Sequence, residues 1–159
     1  MDKYRAITLN GEEVYGELFH NGDTDQCFII KKIFTKDGAI QVDACEVERG
    51  SLCRNTGFLD MNKRPLFEND IVYLNRYFFR ICRIDHTDNY ELVTATGILP
   101  FIPLRIKRVD QIFKIQKDAV GTHIVHCRPS LTDVIGENAY LTIRDAEDAL
   151  RIKRVSELL

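Results

Sequence analysis

Residues 56–72, TGFLDMNKRPLFENDIV, constrain this chain more than any other stretch, because they spell out two short strands together with their turns. Gly57 lets the backbone reverse where a side chain would clash, since glycine enters positive φ at little cost. Phe58 and Leu59 are expected to anchor that reversal in a core. Asp60-Met61-Asn62-Lys63 follows as a polar corner whose Asp and Asn side chains cap their own backbone. A strand starts near Arg64, and Glu68-Asn69-Asp70 closes a tight turn, with asparagine suited to the left-handed region. Ile71-Val72-Tyr73-Leu74 then has the β-branched and aromatic composition of a strand buried on at least one face.

The same punctuation fills the N-terminal third. Asn10-Gly11 is a hairpin signal between Tyr4–Thr8 and Val14–Phe19. His20-Asn21-Gly22-Asp23-Thr24-Asp25 leads into Cys27-Phe28-Ile29-Ile30, and Lys36-Asp37-Gly38 turns the chain into Ala39-Ile40-Gln41-Val42. Four strands in about 40 residues, spaced by Gly-bearing turns, predict an antiparallel meander.

Beyond the central stretch, residues 76–84 (RYFFRICRI) predict a long strand, and Glu91 to Thr96 pairs back on it. Pro100 and Pro103 bracket a stretch confined to a sheet edge or a loop. Residues 104–115 (LRIKRVDQIFKI) mix both hydrophobic periods and fit a strand and a short helix equally well. The form [FL]RIxR[IV][DS] recurs at 79, 104 and 150, but at unequal separations, so common amphipathic composition explains it better than a structural repeat. Thr122 to Cys127 predicts a further strand. Residues 142–159 predict a terminal helix: Thr142 can N-cap it with Asp145 in the reciprocal position, acidic residues come first and basic ones later. Ala146, Ala149, Leu150, Val155, Leu158 and Leu159 give that helix an apolar stripe.

These residues resemble the YopX family, small proteins of phages and prophages. Thr56, Gly57, Asp60, Asn62, Glu68, Asp70, Ile71 and Val72 stand where that family writes TG, D, N and a terminal EGDIV. YRAITLNGEEVYGELF resembles its opening strand pair, Val42-Asp43 followed by Val47 its next segment, and Val134-Ile135-Gly136-Glu137 its closing VIGN, so the likeness spans residues 3–138. Lys63 and Asn69 replace family glycines. Asparagine tolerates positive φ, whereas the lysine implies a differently shaped corner. The resemblance implies a β fold and an accessory role in phage or prophage biology; it carries no assigned activity.

The expected architecture is mainly β: a small antiparallel SH3-like barrel with an N-terminal β-meander and one C-terminal α-helix. One β domain would cover residues 1–141, with the meander at 1–50 and the barrel-like core at 51–141, and the helix at 142–159. At 159 residues the chain has one domain's worth of core, and 45% hydrophobic with 29% charged residues are ordinary globular values that fit disorder and coiled coil poorly. Five widely spaced cysteines without a CxxC pair point to reduced thiols and hence a cytoplasmic setting. No apolar run approaches about 18 residues and the N-terminus lacks a signal-peptide pattern, so no membrane partner is expected.

Candidate chemistry is sparse. His123, His126 and Cys127 form the tightest cluster of metal-capable side chains, but on a strand His126 faces away from the other two. Asp23 with Asp25 and Asp85 with Asp88 lack calcium-loop spacing and belong to turns. No GxSxG, GxxxxGK[ST] or GxGxxG occurs, so no catalytic, cofactor or metal residues are assigned and no enzyme is expected. Two surface roles are expected instead. Leu150, Val155, Leu158 and Leu159 could dock on a protein partner or on a second copy. Alternatively Arg76, Tyr77 and Arg80, with Arg105, Lys107 and Arg108, could stack bases and contact phosphates, although a net charge of −2 gives no overall basic footprint.

Overall fold

A computed structural model of the chain describes residues 2–129 and 139–158. The expected VIGN-like segment at Val134–Glu137 and the proposed contact residue Leu159 lie outside the described residues. The described residues are mainly β, with antiparallel sheets and one α-helix, and the chain divides into two compact units. The first reaches Leu59 and includes Pro65–Glu68; the second takes Asp60–Arg64 and everything from Asn69 onward. The units therefore part within the signature stretch.

The first unit is a six-stranded antiparallel sheet. Its strands are β1 (Tyr4–Ile7), β2 (Glu13–His20), β3 (Cys27–Lys36), β4 (Ala39–Val47), β5 (Cys53–Leu59) and β6 (Pro65–Phe67), in the order β4-β3-β2-β1-β5-β6. The predicted meander β1 to β4 is present, and β1 also pairs with β5 at Tyr4↔Arg54 and Arg5↔Cys53. Alternation puts Ala6, Val14, Cys27, Ile29 and Val47 into one core, flanked by Tyr4, Leu18, Cys45 and Leu52. Gly16 is dictated by close approach: a Cβ there would lie 2.0 Å from the Ile30 carbonyl oxygen. Just beyond, the β3–β4 register shifts between Ile30 and Lys32, as at a β-bulge. Pairing of β2 with β3 ends at Glu17↔Ile30, so among the described residues only β4 pairs with residues 31–36 of β3. The outer half of this hairpin is a two-stranded ribbon.

Phe58 and Leu59 do not anchor a core. Both are exposed, and the turn at Gly57 (φ +82) is held instead by Asn55 Oδ1, which accepts from Gly57 N at 2.8 Å, and by Thr56, whose hydroxyl donates to Leu66 O at 2.9 Å.

The second unit has a five-stranded and a three-stranded sheet. The first comprises β7 (Ile71–Leu74), β8 (Tyr77–Arg83), β9 (Tyr90–Thr94), β10 (Gly97–Pro100) and β11 (Lys107–Arg108), in the order β10-β9-β8-β7-β11; a 3-10 turn at Pro103–Arg105 links the two edges. The second comprises β12 (Ile112–Asp118), β13 (Gly121–Cys127) and β14 (Ala139–Tyr140), with β12 central. Among the described residues no sheet closes on itself. Residues 104–115, which fitted two periods, hold the 3-10 turn and two strands and no α-helix, and Pro100 sits on an edge strand as its missing N–H requires. Ile81, Leu92, Ile106 and Ile112 are fully buried. Ile71, Val109 and Ile112 form a cluster with Tyr73, Phe78, Cys127, Ala139 and Leu141, which joins the two sheets of this unit.

The predicted helix is α1 (Ile143–Leu158). Thr142 caps it, its hydroxyl accepting from Asp145 N at 3.2 Å. Ala146 and Leu150 are buried where α1 lies on β12, β13 and β14.

Candidate functional site

A dense polar cluster grows from the corner at 60–64. Asp60 is 2% exposed, and its carboxylate is fully occupied by backbone: Oδ1 accepts from Asn62 N (2.8 Å) and Arg64 N (2.9 Å), and Oδ2 accepts from Arg108 N (2.9 Å). Asp60 N also donates to Arg64 O and Lys63 N to Asp60 O, so four residues close a tight turn around one buried anion. Met61 N donates to Ile106 O at 3.0 Å, which ties the corner to the start of β11 a second time. Lys63 (φ +62) and Asn69 (φ +68) both occupy the left-handed region. The lysine thus keeps the conformation that a glycine adopts freely, and the corner is not reshaped to avoid it.

A chain of ion pairs continues outward. Arg108 Nε lies 3.1 Å from Asp110 Oδ1 and 3.9 Å from the buried Asp70 Oδ2, and Arg64 donates to the other Asp110 oxygen. Burial pushes the Asp110 carboxyl up, but the hydrogen bond from Arg64 and the positive charges of Arg108 and Arg64 outweigh it and hold the carboxyl below its ordinary range. Each charge in the cluster has a partner within the fold, so the arrangement braces β11 against the corner. It leaves no acid and base poised toward an open space.

Sequence reasoning expected Asp60 and Asn62 to cap locally; the Asp60 side chain does so, and Asn62 contributes its backbone N–H. It missed Asp70, Arg108 and Asp110, whose roles depend on β11 pairing with β7 at Arg108↔Val72. Only the Asp in the EGDIV-like run marked one of them beforehand.

The six residues expected to contact nucleic acid do not gather on one surface. Arg80 is 8% exposed, because β8 is covered on both faces; it pairs with Ile71, and its Nη1 donates to Asn69 O at 3.4 Å. Arg108 is committed to Asp70 and Asp110. Arg76, Arg105 and Lys107 are exposed, as is Tyr77 at 66%. Cross-strand partners share a face: Tyr77 lies with Leu74, whereas Lys107 lies with Tyr73 and Phe78 on the opposite one.

The His/Cys cluster also stays apart. His123 Nε2 is 3.4 Å from Asp118 Oδ2, its Nδ1 is 3.2 Å from Gly121 O, and His126 stacks on Phe113 across the β12–β13 pair with ring centroids 4.6 Å apart. Among the described residues no group of three His, Cys, Asp or Glu side chains is placed to hold a metal ion.

Of the expected contact residues on α1, Leu150 is buried against its own sheet and is not available to a partner. Val155 and Leu158 are exposed, and Ile152 joins them, a residue the sequence reading left out of its stripe. With 100° between residues, Ile152 and Val155 lie across the helix from Ala146 and Leu150. The helix therefore carries a second apolar stripe, turned away from the sheet.

No known protein family, no curated protein and no solved structure matches the chain. Among the described residues no helix is long and apolar enough to cross a membrane.

Proposed function

We propose that this is a non-enzymatic accessory protein of phage or prophage type, which works in the cytoplasm by binding another protein or a second copy of itself. The observation that carries this reading is the outer stripe of α1. Leu158 is 86% exposed, and Ile152 and Val155 lie largely in water although the helix has already buried Ala146 and Leu150. A helix needs one apolar stripe to dock on its own domain, and a second stripe fits the helix-in-groove mode of protein recognition. The phage assignment rests on the residues at 56–72 that resemble YopX proteins. An SH3-like barrel is the reading we favour for the five-stranded sheet, supported by its strand order and the 3-10 turn between β10 and β11.

Sedimentation of the full chain alongside an Ile152→Glu/Val155→Glu variant tests the role of the helix. A wild-type assembly that falls to monomers in the variant supports self-association through α1. An assembly untouched by both substitutions removes α1 from it, and a wild-type monomer at high concentration removes self-association and leaves a partner protein as the occupant.

Nucleic-acid binding is the second reading, favoured by Arg76. This residue sits at φ +71 in the β7–β8 turn, a conformation costly for arginine, beside the exposed Tyr77. Fluorescence anisotropy with a single-stranded oligonucleotide at low salt tests it. Binding should weaken steeply with added salt and be lost in Arg76→Ala/Tyr77→Ala; no signal removes the reading.

A further inference from the structure

The chain has two Asn-Gly pairs, Asn10-Gly11 and Asn21-Gly22, in very different surroundings. The first closes the β1–β2 hairpin. Gly11 N donates to Thr8 O at 2.9 Å, Thr8 N donates to Glu12 O at 2.8 Å, and Glu12 N donates to Thr8 Oγ1 at 3.0 Å. The Gly11 nitrogen is thus engaged within a tight, cross-braced turn. The second pair lies in the exposed loop between β2 and β3, closed by Asn21 N donating to Gln26 O at 3.1 Å. There Asp23 N donates to the Asn21 side-chain carbonyl at 3.3 Å. Among the described residues the Gly22 N–H has no hydrogen-bond acceptor, and the space where its Cβ would stand is open.

Those differences bear on one reaction that needs no catalyst. We propose that Asn21 is a site of spontaneous deamidation, while Asn10 is protected by its hairpin. The Gly22 nitrogen loses its proton to water and bonds to Asn21 Cγ; the side-chain nitrogen takes a proton from water and leaves Cγ as ammonia, and a five-membered imide remains. Water then opens the imide at either carbonyl, giving aspartate or isoaspartate. Glycine at position 22 leaves the attacking nitrogen unhindered, and the Asp23 N–H stabilises the negative charge that develops on Oδ1 during attack, as an oxyanion-hole donor does. At Asn10 the same attack first requires the Gly11 N–H to abandon Thr8 O. Conversion at Asn21 adds a negative charge beside Asp23 and Asp25, and isoaspartate lengthens the backbone inside a closed loop.

The test is peptide mapping by mass spectrometry of the folded full-length protein incubated in mildly alkaline buffer, with a second sample in concentrated urea. In the folded protein the Asn21 peptide should acquire the Asp and isoAsp forms at least about tenfold faster than the Asn10 peptide, the factor a single backbone hydrogen bond is worth. In urea the two rates should converge, and Gly22→Ala should slow conversion at Asn21 in both. Equal rates in the folded protein, an Asn21 that stays intact while the urea sample converts, or the same rate difference persisting in urea would each overturn the proposal.

Discussion

In the corner that begins at Asp60, one carboxylate at 2% exposure accepts three backbone N–H groups, and the arginines and aspartates around it answer one another. In the outer half of the β3–β4 ribbon, Ile33 pairs with Val42 and Thr35 with Ile40 across an open face, and Ile40 is 78% exposed. The corner holds charged groups inside; the ribbon leaves aliphatic groups outside. Buried charges persist only when they are paired and hydrogen-bonded, so the corner has no spare capacity for a ligand. A two-stranded ribbon is marginal by itself in water, so its stability derives from the sheet at its root. The most legible motif in the sequence is thus spent on its own fold, and the binding role proposed above rests on surfaces that no motif marks.

Five substitutions or conditions break or sharpen that contrast. Gly16→Ala attacks the root of the ribbon, where the added carbon meets the Ile30 oxygen at 2.0 Å; the β2–β3 pairing must shift, at a cost above about 4 kcal/mol, visible as loss of the cooperative urea transition. Asp60→Ala strips three backbone donors of their acceptor in a buried corner and should lower unfolding free energy by about 3 kcal/mol in the same assay. A loss below about 1 kcal/mol would mean that water replaces the carboxylate, and the contrast would fail. Lys63→Gly should raise stability by about 0.5–1 kcal/mol, because left-handed backbone costs lysine more than the added chain entropy costs glycine.

The fourth test uses pH. Because the Asp110 carboxyl is held below its ordinary value, its contribution is complete above the unfolded-state pKa of about 4 and is lost as pH falls from there through the lower folded value. The urea midpoint of the wild type should therefore drop more steeply below about pH 4 than that of Asp110→Asn, and parallel curves would place the arginines elsewhere. Ile40→Lys should have the smallest effect, within about 0.5 kcal/mol. A larger loss that grows with protein concentration would instead reveal a cover over the ribbon.

Local signals carried most of the fold. Glycine, asparagine and aspartate at the turns marked the strands of the meander, and Thr142 marked the start of α1 within a residue. Signals that depend on a third element were invisible. Alternation along β8 placed Arg80 opposite Phe79, but only the sheet stacked on that face shows that Arg80 is buried too. Likewise the stripe on α1 mixed residues from two faces, because the residue spacing alone does not say which one the sheet takes. Residues 104–115 were ambiguous for a related reason: β11 is two residues long, shorter than any periodicity can register.

Between Leu59 and Asn69 the backbone changes compact unit three times, with Asp60–Arg64 on one side and Pro65–Glu68 on the other. No single cut separates the units cleanly: a cut after Glu68 keeps the first unit whole but takes Asp60–Arg64 from the second. A truncation after Leu59 discards β6, and with it the Phe67 ring that Tyr15 meets edge-on and Arg5 covers. Any genetic split within this stretch therefore leaves one product carrying residues that pack in the other unit, or lacking residues of its own.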